Sequence, residues 1–512
     1  MRNIRMSKLL WSVVFLLSAS YGGVSASNKW EKYYNDSIKG CQSIDALIYL
    51  QKSGIEPQGS LIVGVIDSGI DTSSIDLKDA LWINSAEKLD GKDNDKNGYV
   101  DDLNGWNFLG TSDGTFNMKS AGTEEYRQFK RLYPKYKSGI TSSSDSLEYD
   151  YYLKMKKKAG IGGYMQFFSL AKQKHQTYLK IDSVLNTFSN IDRDTITVGS
   201  LYSLPVSDIS WKQNFEVIAV DVMKAGSSAL WRDMFKSEED EFCLMKTRID
   251  GIEHAKDKRL LMGDKLDDPS DRFYGNTHLM VDGYDHGMLV AGEIAGQGIV
   301  DSQMTGIYPA AKLMIIRAIP DGDEYDKDVA SSIRYAVDNG AKVINMSFGK
   351  YTSPTPDMVN DAIAYAQKKD VLIIQAAGNS GWNIDSLAYF PSGKNKKGLP
   401  FSNLIRVGAS GKSGQRLKIS NEGITKVDIF APGAEITSVA PDNTYQTVKG
   451  TSIAAPVVSA VAAMLRHYFP KLKASEVKDI LIRSASPAGL PCKSRGIVNA
   501  LNAVKLAAIY TK

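Results

Sequence analysis

The sequence predicts an α/β protein, a doubly wound and mostly parallel sheet carrying a mostly helical insertion. Residues 61–66 form an unbroken apolar, β-rich run that ends in Asp67-Ser68-Gly69. Continuous rather than alternating apolarity over so short a length marks a strand covered on both faces. Comparable runs recur at 312–319, 341–348 and 371–377, and more weakly at 404–409 and 427–430. Helical patterns lie between them, notably 328–339 with Gly340 as a C-cap, and 356–369. Strand and helix alternating at these lengths stack helices on both sides of a parallel sheet. In such sheets functional groups collect at the carboxyl ends of the strands, and Asp67 stands at one.

The chain has 512 residues, 43% hydrophobic and 23% charged, which is ordinary for a globular protein with a large core. At roughly 150 residues per domain, two to three domains are expected. Residues 1–26 read as an export signal. Arg2, Arg5 and Lys8 precede a short apolar core at 9–19, and Val24-Ser25-Ala26 offers a small-residue cleavage site. The apolar run is too short to span a membrane comfortably, so the mature chain is expected to be secreted or periplasmic, without a membrane span. Residues 27–58 form an N-terminal arm or a short prosegment.

The α/β domain is expected over 59–110 and 280–512, with the insertion at 111–279. There 124–137 and 147–188 are rich in Lys and Tyr and carry helical periodicity; a mobile lid is the alternative. An apolar helix is expected at 457–468, another at 475–483 capped by Ser475, and a last one at 496–508. The net charge of +4, with no basic stripe, excludes a nucleic-acid partner. Cys41, Cys243 and Cys492 show no metal-ligand spacing, leaving one disulfide or three idle thiols. No pattern speaks to oligomeric state.

Four short motifs carry chemistry. Gly450-Thr451-Ser452 precedes a small-residue helix, where a hydroxyl sits beside free N–H groups and the positive end of the dipole. His286, in Asp285-His286-Gly287, is the best general base among five histidines, because His175, His254 and His278 fall in the insertion and His467 at a polar helix end. Asp67 ends a buried strand, and Asn379, in Gly378-Asn379-Ser380-Gly381, follows another. Taken singly, each has a plain structural use as a cap or turn residue.

Together, and in this order, they resemble the subtilisin-like serine proteases, the subtilases, whose triad runs Asp, His, Ser. The resemblance rests on Asp67-Ser68-Gly69, His286-Gly287 with Val290-Ala291-Gly292, Gly378-Asn379, and Gly450-Thr451-Ser452 with Ala454-Ala455-Pro456. It covers most of 59–105 and 281–512. It implies a subtilisin-like fold and an exported endopeptidase acting on peptides or proteins, with no cofactor needed for the chemistry. Ser452 would be the nucleophile, His286 the base, Asp67 its partner and Asn379 an oxyanion donor; Ser347, Phe348 and Gly349 would pair with an extended substrate. Met288 and Leu289 depart from the residues usual after His-Gly, which raises the alternative of a peptide-binding protein with weak or no catalysis. An esterase of another α/β fold would need a Gly-x-Ser-x-Gly elbow and a serine ahead of its histidine; the order here is the reverse.

Residues 90–102 alternate oxygen-bearing side chains around Gly98 in the manner of a calcium loop. Asp93, Asp95, Asn97, Asp101 and Asp102, with the Tyr99 carbonyl, are the expected ligands of a structural calcium ion. The alternative is a solvated polar turn, since the bidentate Glu of an EF-hand is missing and Asn104 stands there.

Overall fold

Residues 29–139, 143–189, 191–201, 203–206, 209–254 and 257–511 are described by a computed structural model. The export signal expected at 1–26 lies outside them. The described strands of the main sheet are β1 (Ile62–Asp67), β2 (Gly105–Asn107), β3 (Lys312–Arg317), β4 (Val343–Met346), β5 (Leu372–Ala376), β6 (Leu404–Ser410), β7 (Ile429–Pro432), β8 (Ser486–Pro487) and β9 (Gly496–Ile497). They lie in the order β8-β9-β7-β6-β5-β4-β1-β3-β2. Every pairing is parallel except β8 with β9. The sheet is therefore mostly parallel, as the continuous apolar runs predict.

The helices of this unit are α1 (Ser43–Lys52), α2 (Asp285–Ala295), α3 (Asp326–Asp338), α4 (Pro356–Lys368), α5 (Thr451–Tyr468), α6 (Ala474–Arg483) and α7 (Ala500–Tyr510). Side chains of α1, α2, α5, α6 and α7 share one apolar core with Val63 and Val65 of β1. Those of α3 and α4 share a second core with Ile66. Alternate residues of one strand thus feed opposite layers, the two-faced burial that unbroken apolarity requires. β1 lies between β3 and β4, and the chain visits the β2 and β3 side before crossing to β4. That is the switch point where a crevice opens at the strand ends; Asp67 is the last residue of β1.

Several boundaries differ from expectation. The strand expected to run to Phe348 stops at Met346. The last helix begins at Ala500, because Asn499 takes the Asn502 N–H with its side chain and Gly496 and Ile497 are drawn into the sheet as β9. Helix α6 starts at Ala474, ahead of Ser475, with the Glu476 carboxylate accepting the Lys473 N–H. Residues 29–58 are packed into the α/β unit: the Ala500 N–H donates to the Cys41 carbonyl and the Gln58 N–H to that of His467. All three cysteines are free thiols, Cys41 and Cys492 buried and Cys243 exposed.

A second compact unit comprises residues 125–257, narrower than the expected insertion of 111–279. Residues 111–124 and 258–279 belong to the α/β unit, where Met118, Met262 and Tyr274 join the α3 and α4 core. Within the second unit the long helix Ile161–Leu185 packs against Ile209–Ala225 and Trp231–His254. Trp231, fully buried, stacks on Tyr178 with ring centroids 5.4 Å apart. No described helix is long and apolar enough to cross a membrane.

Candidate active site

The turn after β1 and the start of α2 are built as one piece. His286 Nδ1 lies 2.7 Å from Asp67 Oδ1, which also accepts the Ser68 N–H at 2.8 Å. Ser68 Oγ accepts the Gly287 N–H at 3.1 Å, filling one of the donors that every helix start leaves open. Gly287 is required by the close approach: a Cβ there would stand 2.0 Å from the Gly69 carbonyl oxygen. The Asp67 carboxylate is only 3% exposed, whereas the His286 side chain is 45% exposed. An imidazole held at one nitrogen and open at the other suits a base. Burial alone would lower the His286 pKa; the Asp67 charge and hydrogen bond overcome it and raise it above the ordinary imidazole value.

Ser452 is the second residue of α5, and all of α5 except this residue is buried. Ala454, Ala455, Ala460, Ala462 and Ala463 let the helix lie close to the sheet, where it contacts β4 through β7 and packs on α2. Among the described residues no hydrogen bond joins His286 to Ser452 Oγ; in substrate-free enzymes that bond is commonly long.

The Thr451 N–H donates to Asn379 Oδ1 at 2.9 Å, and the Thr451 hydroxyl donates to the same oxygen at 3.0 Å while accepting the Gly378 N–H. A backbone N–H can only donate, so the accepting atom must be the amide oxygen and the Asn379 NH₂ is turned outward. At Gly450, with φ of 146°, a Cβ would come 3.2 Å from Asn379 Nδ2 and 3.5 Å from Ser452 Oγ. The Asn379 amide and the Ser452 hydroxyl therefore flank one small space at the start of α5, where the Thr451, Ile453 and Ala454 N–H groups are engaged and the Ser452 N–H makes no hydrogen bond among the described residues.

Ser347 lies just past the end of β4 rather than within the strand, and its hydroxyl is engaged with the protein. Pro456 has no N–H, so the Ser452 carbonyl four residues earlier lacks its helical donor. Ser347 Oγ donates to that carbonyl at 2.6 Å. Ser347 in turn accepts from Asn345 Nδ2 at 2.9 Å, and Asn345 Oδ1 accepts from Ser459 Oγ at 2.8 Å. This buried polar chain fixes α5 against the sheet. Ser347→Ala should cost about 1–3 kcal/mol by orphaning a buried acceptor, read as a lower thermal midpoint. Phe348 and Gly349 are half-buried, and a Cβ at Gly349 would meet the Tyr389 hydroxyl at 2.4 Å.

The two atypical residues after His286-Gly287 have places of their own. Met288 is buried and its sulfur accepts the Asp71 N–H at 3.3 Å. Leu289 packs with Trp30, Ile436 and Ile453.

The loop around Gly98 brings together only part of the expected ligand set. Carboxylate oxygens of Glu87, Asp95 and Asp102 lie within 4.8 Å of one another. Asp93 instead accepts the Asn97 and Gly98 N–H groups, and Asp101 those of Asp90 and Gly91. Asn97 spends its oxygen on the Tyr99 N–H and points its NH₂ at Asp95 and Asp102. Asp93 and Asp101 thus shape the loop, and Asn97 turns a donor rather than a ligand oxygen toward two of the trio, while Glu87 also accepts the Asn94, Asp95 and Asp101 N–H groups. Glu87 escaped sequence reasoning because it precedes the repeating pattern. Three carboxylates this close, with burial pushing Asp102 up to about 6, fit a hard divalent cation such as calcium.

The profile of the family described as the Subtilase family matches residues 58–501. The chain belongs to the subtilases. That membership places it among the serine-type, subtilisin-like endopeptidases. This subtilase is 36% identical over 226 residues to the cell wall-associated protease of Bacillus subtilis (strain 168), a match covering 44% of this chain but 24% of that protein's length. It is 32% identical over 220 residues to subtilisin DY of Bacillus licheniformis, covering 42% of this chain and 76% of subtilisin DY. Among solved structures, the protease domain of PatA is 28% identical with a TM-score of 0.40, covering 46% of this chain and 85% of that one.

Proposed function

We propose that this subtilase is an exported endopeptidase that hydrolyses peptide bonds through an acyl-enzyme on Ser452. The carrying observation is the 2.7 Å pairing of a buried Asp67 carboxylate with the otherwise open imidazole of His286. Held at Nδ1, the ring offers Nε2 to the Ser452 hydroxyl. His286 takes the proton as Ser452 Oγ attacks the carbonyl carbon, and Asp67 stabilises the imidazolium that forms. The oxyanion falls to the Asn379 NH₂ and the Ser452 N–H, dipoles already fixed before charge develops. His286 returns its proton to the leaving amine, and water then releases the acyl group by the same route. Residues 347–349 supply the backbone against which an extended peptide lies.

A peptide-binding protein without catalysis would need a weakened base. Met288 and Leu289, which motivated that reading, leave the Asp67–His286 pair intact, so nothing favours it. Incubating the folded, mature protein with a fluorophosphonate probe tests the proposal. Mass spectrometry should find the adduct on Ser452, and a fully unlabelled folded protein would sink the protease reading.

Export rests on the expected signal at 1–26, and a relative named for its cell-wall association is consistent with it. A structural calcium would be held by Glu87, Asp95 and Asp102, where it would neutralise three converging carboxylates and take no part in the reaction. At calcium about 100-fold above its dissociation constant, such binding adds roughly 2.7 kcal/mol. Chelation should therefore lower the melting temperature by several degrees; an unchanged melting temperature removes calcium from the account.

A further inference from the structure

Two lysines and a glutamate lie buried against Glu293 of α2, and the proposed reaction uses none of the four. Lys29 is 2% exposed, Lys32 6%, and Glu31 and Glu293 are fully buried. Lys29 Nζ donates to Glu293 Oε2 at 2.7 Å and lies 3.2 Å from Glu31 Oε1, while Lys32 Nζ donates to Thr305 Oγ1 at 2.5 Å. Charges so deep persist only when paired, and removing one partner strands the other. Between the lysines, Trp30 packs with Leu289, Ile436 and Ile453, and its indole N–H donates to the Ala434 carbonyl at 3.0 Å.

The positions touched are not arbitrary. Leu289 and Glu293 stand three and seven residues after His286 in α2, on the helix face that carries His286. Ile453 directly follows Ser452. One short segment thus contacts the helices of both the base and the nucleophile. Its far end is tied down as well: the Cys41 N–H donates to the Glu31 carbonyl at 2.6 Å, and the Cys41 carbonyl accepts the Ala500 N–H at 2.7 Å.

We propose that residues 29–41 are a strap retained in the working enzyme, and that Lys29 and Trp30 are positioning residues that set the His286 helix against the Ser452 helix. The proposal rests on the triad reading given above. It makes the arm a permanent part of the catalytic unit rather than a prosegment shed on activation. Burial works against the Lys29 ammonium, and the Glu293 and Glu31 carboxylates overcome it and hold it charged. The groups facing Glu293 are Lys29, Glu31, Lys32 and Cys41. With methionine at position 29, Lys32 alone faces two carboxylates. Glu293 must then stay protonated or shift α2, and shifts near 1 Å cost on the order of 100-fold in rate.

Two measurements test this. Exported wild-type protein is labelled with a fluorophosphonate, and the intact mass and N-terminus of the labelled fraction are read. Labelling reports the triad, whereas the N-terminus reports the strap, so the two readings fail separately. Labelled molecules should begin at or before Lys29; labelled molecules beginning after Cys41 would overturn the strap. In parallel, Lys29→Met should lower kcat roughly 10- to 100-fold with KM within about twofold, the loss deepening as pH rises above about 7, because burial already pushes the Glu293 carboxyl up to about 7 and losing Lys29 moves its ionisation higher still. Lys29→Arg should retain activity, Trp30→Ala should lower kcat, and Lys29→Met/Glu293→Gln should recover much of the loss and flatten its pH dependence. A double variant no better than Lys29→Met, or single variants that raise KM alone, would overturn the positioning role; the N-terminal measurement stands even if Lys29→Met fails to fold.

Discussion

Ser452→Ala should lower kcat by about 10⁶-fold, the scale of nucleophile loss in subtilisin, and leave the fold intact. The side chain is half-exposed at the second position of α5, where among the described residues it makes no hydrogen bond that holds the helix; the Ser452 carbonyl, held by Ser347, is unchanged. Without the hydroxyl no acyl-enzyme forms, and His286 and Asp67 have nothing to activate. Adding His286→Ala should therefore cost almost nothing more, because residues that act as one unit are not additive. Adding Asn379→Ala should cost about 10²–10³-fold further, since oxyanion donors keep some value toward an attacking water. Turnover of a chromogenic peptide amide gives the numbers. More than about 1% residual activity would place the nucleophile elsewhere.

Asp67→Asn should lower kcat by roughly 10⁴-fold, and the reason differs from a simple tautomer flip. Oδ1 alone accepts from both Ser68 and His286, while Oδ2 is buried without a hydrogen-bond partner among the described residues. An asparagine that keeps its oxygen in place preserves the tautomer but buries an NH₂ with no acceptor. Turned the other way, it sets a donor against the Ser68 N–H. In both cases the negative charge is lost. That charge raises the His286 pKa, so its removal lowers it, and the neutral, competent imidazole extends to lower pH. The acid limb of kcat/KM should shift downward while the plateau falls. A limb that stays in place would mean another group supports His286.

The residues of the candidate site stood out in the sequence because each of its parts is local. Asp67-Ser68-Gly69 marks a strand end, Gly287 permits the close docking of α2, and Gly378-Asn379 and Gly450-Thr451-Ser452 mark a turn and a helix start. The strands around them announced themselves by unbroken apolar runs. What stayed hidden depends on partners far along the chain. Lys29 reads as solvated until Glu293, 264 residues away, is placed beside it. Glu87 joins Asp95 and Asp102 from outside the repeating loop pattern. Strands β2, β8 and β9 have two or three residues each, too few for any periodicity. The resemblance offers only the backbone of Ser347 to a substrate; that its hydroxyl holds the Ser452 carbonyl, left without a donor by Pro456, shows only once the two are placed together.

That last contact ties two properties together. On the proposed function, the segment that receives the peptide begins with the residue whose hydroxyl secures the Ser452 carbonyl. Remodelling 347–349 to accept new sequences will therefore also move Ser452, and selectivity and speed will drift together in any variant library built there. Changes placed at Phe348 alone, which leave the Ser347 hydroxyl untouched, are the ones that should separate them.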